Sequence, residues 1–97
     1  MELSKPLVER QLECIFPRGE TTQVTIKIFQ PAPDGSGNFS CLYQAEGGGL
    51  DIGMSVPGVD SLQALLLAVK GLKADLAYQN ERGIRFFWSG IEGMACD

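Results

Sequence analysis

Leu50-Asp-Ile-Gly-Met-Ser-Val-Pro57-Gly-Val-Asp60-Ser-Leu-Gln-Ala-Leu-Leu-Leu-Ala-Val-Lys70 changes its hydrophobic period halfway along. Leu50, Ile52, Met54 and Val56 alternate with Asp51, Gly53 and Ser55, the period of a strand with one wet face. Gly53 weakens that strand and marks a candidate bulge. Pro57-Gly58 then breaks it. Asp60, with Gln63 three residues on, is a capping pair, and from there the apolar residues recur with a helical period. Leu62, Leu65, Leu66, Val69, Leu72 and Leu76 fall within one arc, predicted to face a sheet. The helix is expected to end near Asn80, before Arg82-Gly83.

Period 2 returns on both sides of this stretch. Upstream, residues 8–16 place Val8, Leu12, Cys14 and Phe16 on one face, and residues 22–30 repeat the pattern with Val24, Ile26 and Ile28. A turn-rich connection, Pro31 to Asn38, leads into a third strand at 39–45 with Phe39, Cys41 and Tyr43 inward. Glu46-Gly-Gly-Gly49 turns the chain into the fourth strand. Downstream, Ile84, Phe86 and Trp88 alternate in a last strand at 84–88. The final seven residues are expected to be loose or to lie along the surface. The prediction is an α+β fold, β-β-β-β-α-β, with a four- to five-stranded, mostly antiparallel sheet and one long helix packed on one face. Residues 1–97 form a single domain with its core in 7–90. The last strand has two options: antiparallel beside the first, or parallel beside the fourth.

Composition narrows the chemistry. The 97 residues carry a net charge of −4 and no histidine, so histidine acid–base catalysis, Ser-His or Cys-His nucleophile pairs and His-ligated metals are excluded. The acidic balance argues against nucleic acid or an anionic membrane surface as partner. The longest apolar run, Ala64 to Val69, is far too short to span a bilayer. Met1 to Pro6 lacks the pattern of a signal peptide, and Cys14, Cys41 and Cys96 form neither an even set nor a C-x-x-C pair. A reduced, cytoplasmic protein is expected, with Cys14 and Cys41 buried and Cys96 exposed.

No constellation supplies a reaction. The glycines at 47–49 precede a strand rather than a helix, so they make a turn and not a phosphate cradle. Asp34, Ser36 and Asn38 mimic the start of a calcium loop, but Phe39 and Ala45 stand where glycine and glutamate are required. Glu9, Glu13 and Asp51 read as a solvated face. Lys70, Lys73, Arg82 and Arg85 lie near three aromatic residues, a grouping that dipole complementation and core packing explain. No catalytic, cofactor-binding or metal-ligating residue is therefore assigned, and no cofactor is expected. An enzyme using carboxylates such as Glu13, or Cys14, is the least favoured reading.

What stands out is surplus apolar surface. Opposite the leucine stripe the helix carries Ala64, Leu67, Ala68, Gly71, Ala74 and Tyr78. The outer sheet face carries Ile15, Phe29, Leu42 and Phe87. Either the C-terminal Ile91, Met94 and Ala95 cover that sheet face, or a second chain does. The expected interface comprises Ala64, Leu67, Ala68, Gly71, Tyr78, Phe29 and Phe87. A pocket between sheet and helix near Tyr43 and Trp88 is the alternative site.

The segment Gly58-Val-Asp60-Ser-Leu-Gln63-Ala-Leu-Leu-Leu-Ala-Val-Lys70 resembles the helix of an uncharacterised family of short bacterial proteins, classed as a domain of unknown function. Pro31-Ala32-Pro33-Asp34 and the strand residues Phe39, Cys41 and Tyr43 extend the resemblance over roughly residues 7–90. Leu42 stands where members of that family tend to have proline. The resemblance implies bacterial origin, a cytoplasmic location and this fold, and it attaches no activity. Together these observations predict a non-enzymatic, self-associating interaction module, a homodimer that also binds an unidentified protein partner. The second reading is a small-ligand-binding domain.

Overall fold

The structure, a computed structural model, describes residues 5–93 and 96. Its elements are β1 (Pro6–Ile15), β2 (Thr21–Phe29), β3 (Ala32–Pro33), β4 (Phe39–Gly47), β5 (Leu50–Gly58), α1 (Ser61–Glu81), β6 (Arg85–Trp88) and β7 (Ile91–Glu92). The α+β architecture and antiparallel sheet follow the sequence patterning, with two additions. Two-residue β3 and β7 bring the strands to seven, too short for any period to reveal.

All pairings are antiparallel: β5 with β4, β4 with β2, β2 with β1, β1 with β6 and β6 with β7. The last long strand thus lies beside the first, Cys14 facing Phe86. β5 occupies one whole edge of β4, so β3 shares the other edge with β2. The ladder steps by one residue between Ile28↔Tyr43 and Ala32↔Ser40, a bulge at Gln30-Pro31. β5 pairs through Gly53 without a register shift, and the irregularity recorded for β1 falls instead between Pro6 and Val8. The end of the chain is less loose than expected: Ile91 and Glu92 pair with Trp88 and Phe87, and Cys96 packs half-buried against the core rather than standing exposed. Met94 and Ala95 lie outside the described residues.

Local chemistry fixes the helix ends. Asp60 Oδ1 accepts from the Gln63 N–H at 2.8 Å, and Gln63 Oε1 accepts from the Val59 N–H at 2.7 Å. At the other end Gly83 adopts φ +103°, which lets its N–H reach the Asn80 carbonyl and the Ile84 N–H reach that of Gln79. Those two bonds satisfy carbonyls the helix would otherwise leave open, as a Schellman stop does.

The helix meets the sheet through a different stripe from the leucine arc. Ala64, Ala68, Leu72 and Leu76 are buried, whereas Leu62 and Leu66 are 62% and 59% exposed. Close approach is the reason. A Cβ on Gly58 would stand 2.4 Å from the Ala64 nitrogen, and one on Gly71 would stand 3.1 Å from the Tyr43 ring. Small residues at 58, 64, 68 and 71 let the helix press onto β4 and β5, where bulkier side chains would hold it off. Leu65 and Val69 remain on the shoulder, partly buried. Burying the broad leucine arc would have removed more apolar area from water, but it would have left no room for Tyr43.

Candidate interaction surface

Tyr43 is the pivot between the layers. It rises from β4 under Gly71, is 1% exposed, and its hydroxyl donates to Asp75 one helical turn further on. Burial first, and the carboxylate second, push the phenol up to about 12. Tyr43 is therefore a core residue. Trp88 is half-buried on β6, where the Arg10 guanidinium lies 3.7 Å from its ring centroid. Among the described residues, neither side chain lines the two clefts that open between sheet and helix, although Arg10, the stacking partner of Trp88, borders one of them. Nothing in the alternation of β1 announced Arg10, a charged residue on the inner face, because its stacking partner is remote in sequence.

Open space between the layers lies elsewhere. A cleft of about 530 Å3 runs between the C-terminal half of α1 and β6–β7, lined by Lys73, Leu76, Asn80, Phe86, Glu92 and Cys96 among others. A smaller one of about 250 Å3 separates Val69 and Leu72 from Arg10, Ile26 and Ile28, and it too touches Cys96. Both clefts lie on the β1–β6 side of the helix. That side carries the Leu62, Leu66 and Lys73 flank, so the opposite flank, with Leu67, Ala74 and Tyr78, overhangs β5.

The expected interface therefore divides into three. Ala64 and Ala68 are 0% exposed and Gly71 abuts Tyr43, so these three pack against the sheet and are unavailable to a partner. Phe29 and Phe87 are half-buried on the outer sheet face, at opposite ends, beside Leu42 and Ile15 respectively. Rows of Glu9, Lys27 and Gln44, then Gln11, Thr25 and Glu46, separate them. Leu67 and Tyr78 are exposed. Arg82 caps Tyr78, donating to its hydroxyl at 3.2 Å with its guanidinium 5.7 Å from the ring centroid.

Beside Leu67 and Tyr78 runs the free edge of the sheet. β5 is nine residues long, pairs on one side with β4, and has no strand on its other side among the described residues. Met54, directly across from Tyr43 on the helix-facing side, is 57% exposed there. The sequence places Met54 inward correctly, but alternation cannot show that the strand is an edge. A long unpaired edge flanked by large apolar side chains is a template for another chain.

Reactive groups are sparse. Burial pushes the Cys14 thiol up to about 11 and raises that of Cys41, whose Sγ donates to the Phe29 carbonyl at 3.2 Å. Among the described residues no three His, Cys, Asp or Glu side chains gather into a metal site. Asp34 accepts from the Ser36 N–H and hydroxyl, an Asx turn that accounts for the loop. The cation cluster disperses: Arg85 forms a two-bond pair with Glu92, and Arg82 stacks on Tyr78. Among the described residues no helix is long and apolar enough to cross a membrane.

No curated protein and no solved structure matches the chain. From residue 8 to residue 96, spanning both the Tyr43–Asp75 pivot and the β5 edge, the chain matches and belongs to the family described as domain of unknown function DUF6968.

Proposed function

We propose that the protein is a non-enzymatic, self-associating interaction module of a bacterial cytoplasm. The observation that carries the reading is the unpaired β5 edge with Met54, Leu67 and Tyr78 exposed beside it. Strand addition along such an edge supplies main-chain hydrogen bonds, and the neighbouring apolar side chains supply desolvation. The free thiols of Cys14 and Cys41 accord with a reducing compartment. The test is light scattering of the purified chain over a wide concentration range, with Leu67→Glu beside it. A dimer weakened tenfold or more by the substitution supports the module; a monomer at every concentration, with Leu67→Glu silent, overturns it. Gly71→Glu is not a usable probe, because that position faces the Tyr43 ring.

The cleft of about 530 Å3 favours a second reading, binding of a small molecule between Lys73, Asn80 and Glu92. A thermal shift with a fractionated metabolite pool, abolished by Lys73→Ala, would support it, and no shift with any fraction would remove it.

A further inference from the structure

We infer that the occupant of the β5 edge is a second copy of the same chain, paired antiparallel about a two-fold axis at Met54 so that two sheets become one. The inference rests on the interaction-module reading above and specifies its partner and register.

Main-chain geometry sets which groups face the free edge, and overlap then selects the register. Gly48 and Gly49, at φ +58° and +94°, form a two-residue turn that makes Gly47 and Leu50 a hydrogen-bonded pair. Residues 50, 52, 54, 56 and 58 then turn their main-chain groups toward β4, and Asp51, Gly53, Ser55 and Pro57 turn theirs outward. Pro57 lacks an N–H and its missing donor faces the free edge, where proline is tolerated. Centring the pair on Met54 overlaps all nine residues of β5. Gly53 faces Ser55 of the other copy in a two-bond pair, twice by symmetry, and each Asp51 N–H meets a Pro57 carbonyl. Asp51, the strand's one charge, thus opposes proline and never its own copy. On the helix side Met54 meets Met54, and Ile52 meets Val56.

The second layer fits the same axis. Helix α1 packs on β4 and β5 alike, so its axis projects between them. At a strand spacing of about 4.8 Å, a two-fold beside β5 puts the two helix axes about 10 Å apart, the distance at which helices pack side by side. The flanks that would meet carry Leu67, Ala74 and Tyr78, with the Arg82 guanidinium held against the Tyr78 ring. An edge about 30 Å long, on a molecule 21 Å through its thinnest dimension, offers about 600 Å2 per copy, or about 1,200 Å2 in all, the lower bound for a specific interface. A partner of other sequence would have no reason to match the helix spacing, whereas a second copy matches it by symmetry.

The test uses the full chain carrying Cys96→Ser. Met54→Cys in this background is expected to form a covalent dimer on mild oxidation, because residues at the axis form a close non-hydrogen-bonded pair within disulfide reach. Ser55→Cys, one residue from the axis and on the other face, is expected to cross-link at least tenfold more slowly. Ser55→Pro removes a free-edge donor without touching the β4 ladder. It should raise the dimer dissociation constant tenfold or more while the far-ultraviolet circular dichroism stays unchanged. A dimer that survives Ser55→Pro and fails to cross-link through Met54→Cys overturns this register and leaves the interaction module standing. A monomer at every concentration overturns both.

Discussion

The Tyr43–Asp75 hydrogen bond joins the two layers, and Tyr43→Phe measures it with little change in shape. The ring stays under Gly71, so no cavity opens, and only the hydroxyl and its bond to a half-buried carboxylate are lost. A bond to a charged acceptor contributes roughly 1.5–3 kcal/mol, and partial exposure of Asp75 lets water replace some of that, so about 1.5 kcal/mol is expected. With a urea slope of about 1.5 kcal/mol per molar, the unfolding midpoint should fall by about 1 M at neutral pH. Asp75→Ala should cost at least as much, since it strands a buried hydroxyl. The double variant should cost less than the sum of the two, with a coupling energy of about 1 kcal/mol or more. The alkaline limb gives an independent sign. An unfolded tyrosine ionises near pH 10, while the folded one holds its proton up to about 12. Wild-type stability from this group is therefore complete below pH 10 and is lost between pH 10 and 12, a loss the Tyr43→Phe chain lacks. Urea titrations at pH 7 and pH 10.5 measure both effects. A Tyr43→Phe midpoint within 0.2 M of wild type at pH 7 (about 0.3 kcal/mol on that slope) would refute the assignment of the bond.

Gly58→Ala forces a methyl into the Ala64 backbone and should destabilise the fold by about 1–3 kcal/mol in the same urea assay. Asp60→Ala removes the cap from the Gln63 N–H and should cost about 1 kcal/mol, seen as a lower melting temperature. With its thiol at about 11 rather than the ordinary 9.0, Cys14 at pH 8 presents about a hundredfold less thiolate. A disulfide-exchange reagent should therefore modify Cys14 at least that much more slowly in the native chain than in urea, read by peptide mass.

Much of the fold was legible because its longest elements obey a single period each. The switch from alternation to helical spacing at Pro57–Asp60 located both β5 and the start of α1, and Asp60 and Gln63 made the cap they advertise. The helix's rotation was not legible, because hydrophobic counting ranks leucine above alanine and glycine. What decides it is a distance: Tyr43, remote in sequence, needs the space left by Gly71. The same remoteness hid the stacking of Arg10 on Trp88. Surplus apolar surface was visible as composition in Leu67 and Tyr78, but whether each such residue faces a neighbour or a free edge depends on strand order, which no period encodes. Ala64 and Ala68, by contrast, were misassigned together with the helix's rotation.

The pairing of β6 with β1 bears on how the chain folds. The strands β1, β2, β4 and β5 are successive antiparallel neighbours and can zip together in sequence order, each closing a comparatively small loop. Cys14 and Phe86 come from distant parts of the chain, and their contact waits for the helix to form and carry β6 back across the sheet. Non-local closure of this kind is slow relative to hairpin formation. While it is pending, β1 presents a second unpaired edge, and an emerging nascent chain is most prone to misassociate during that interval.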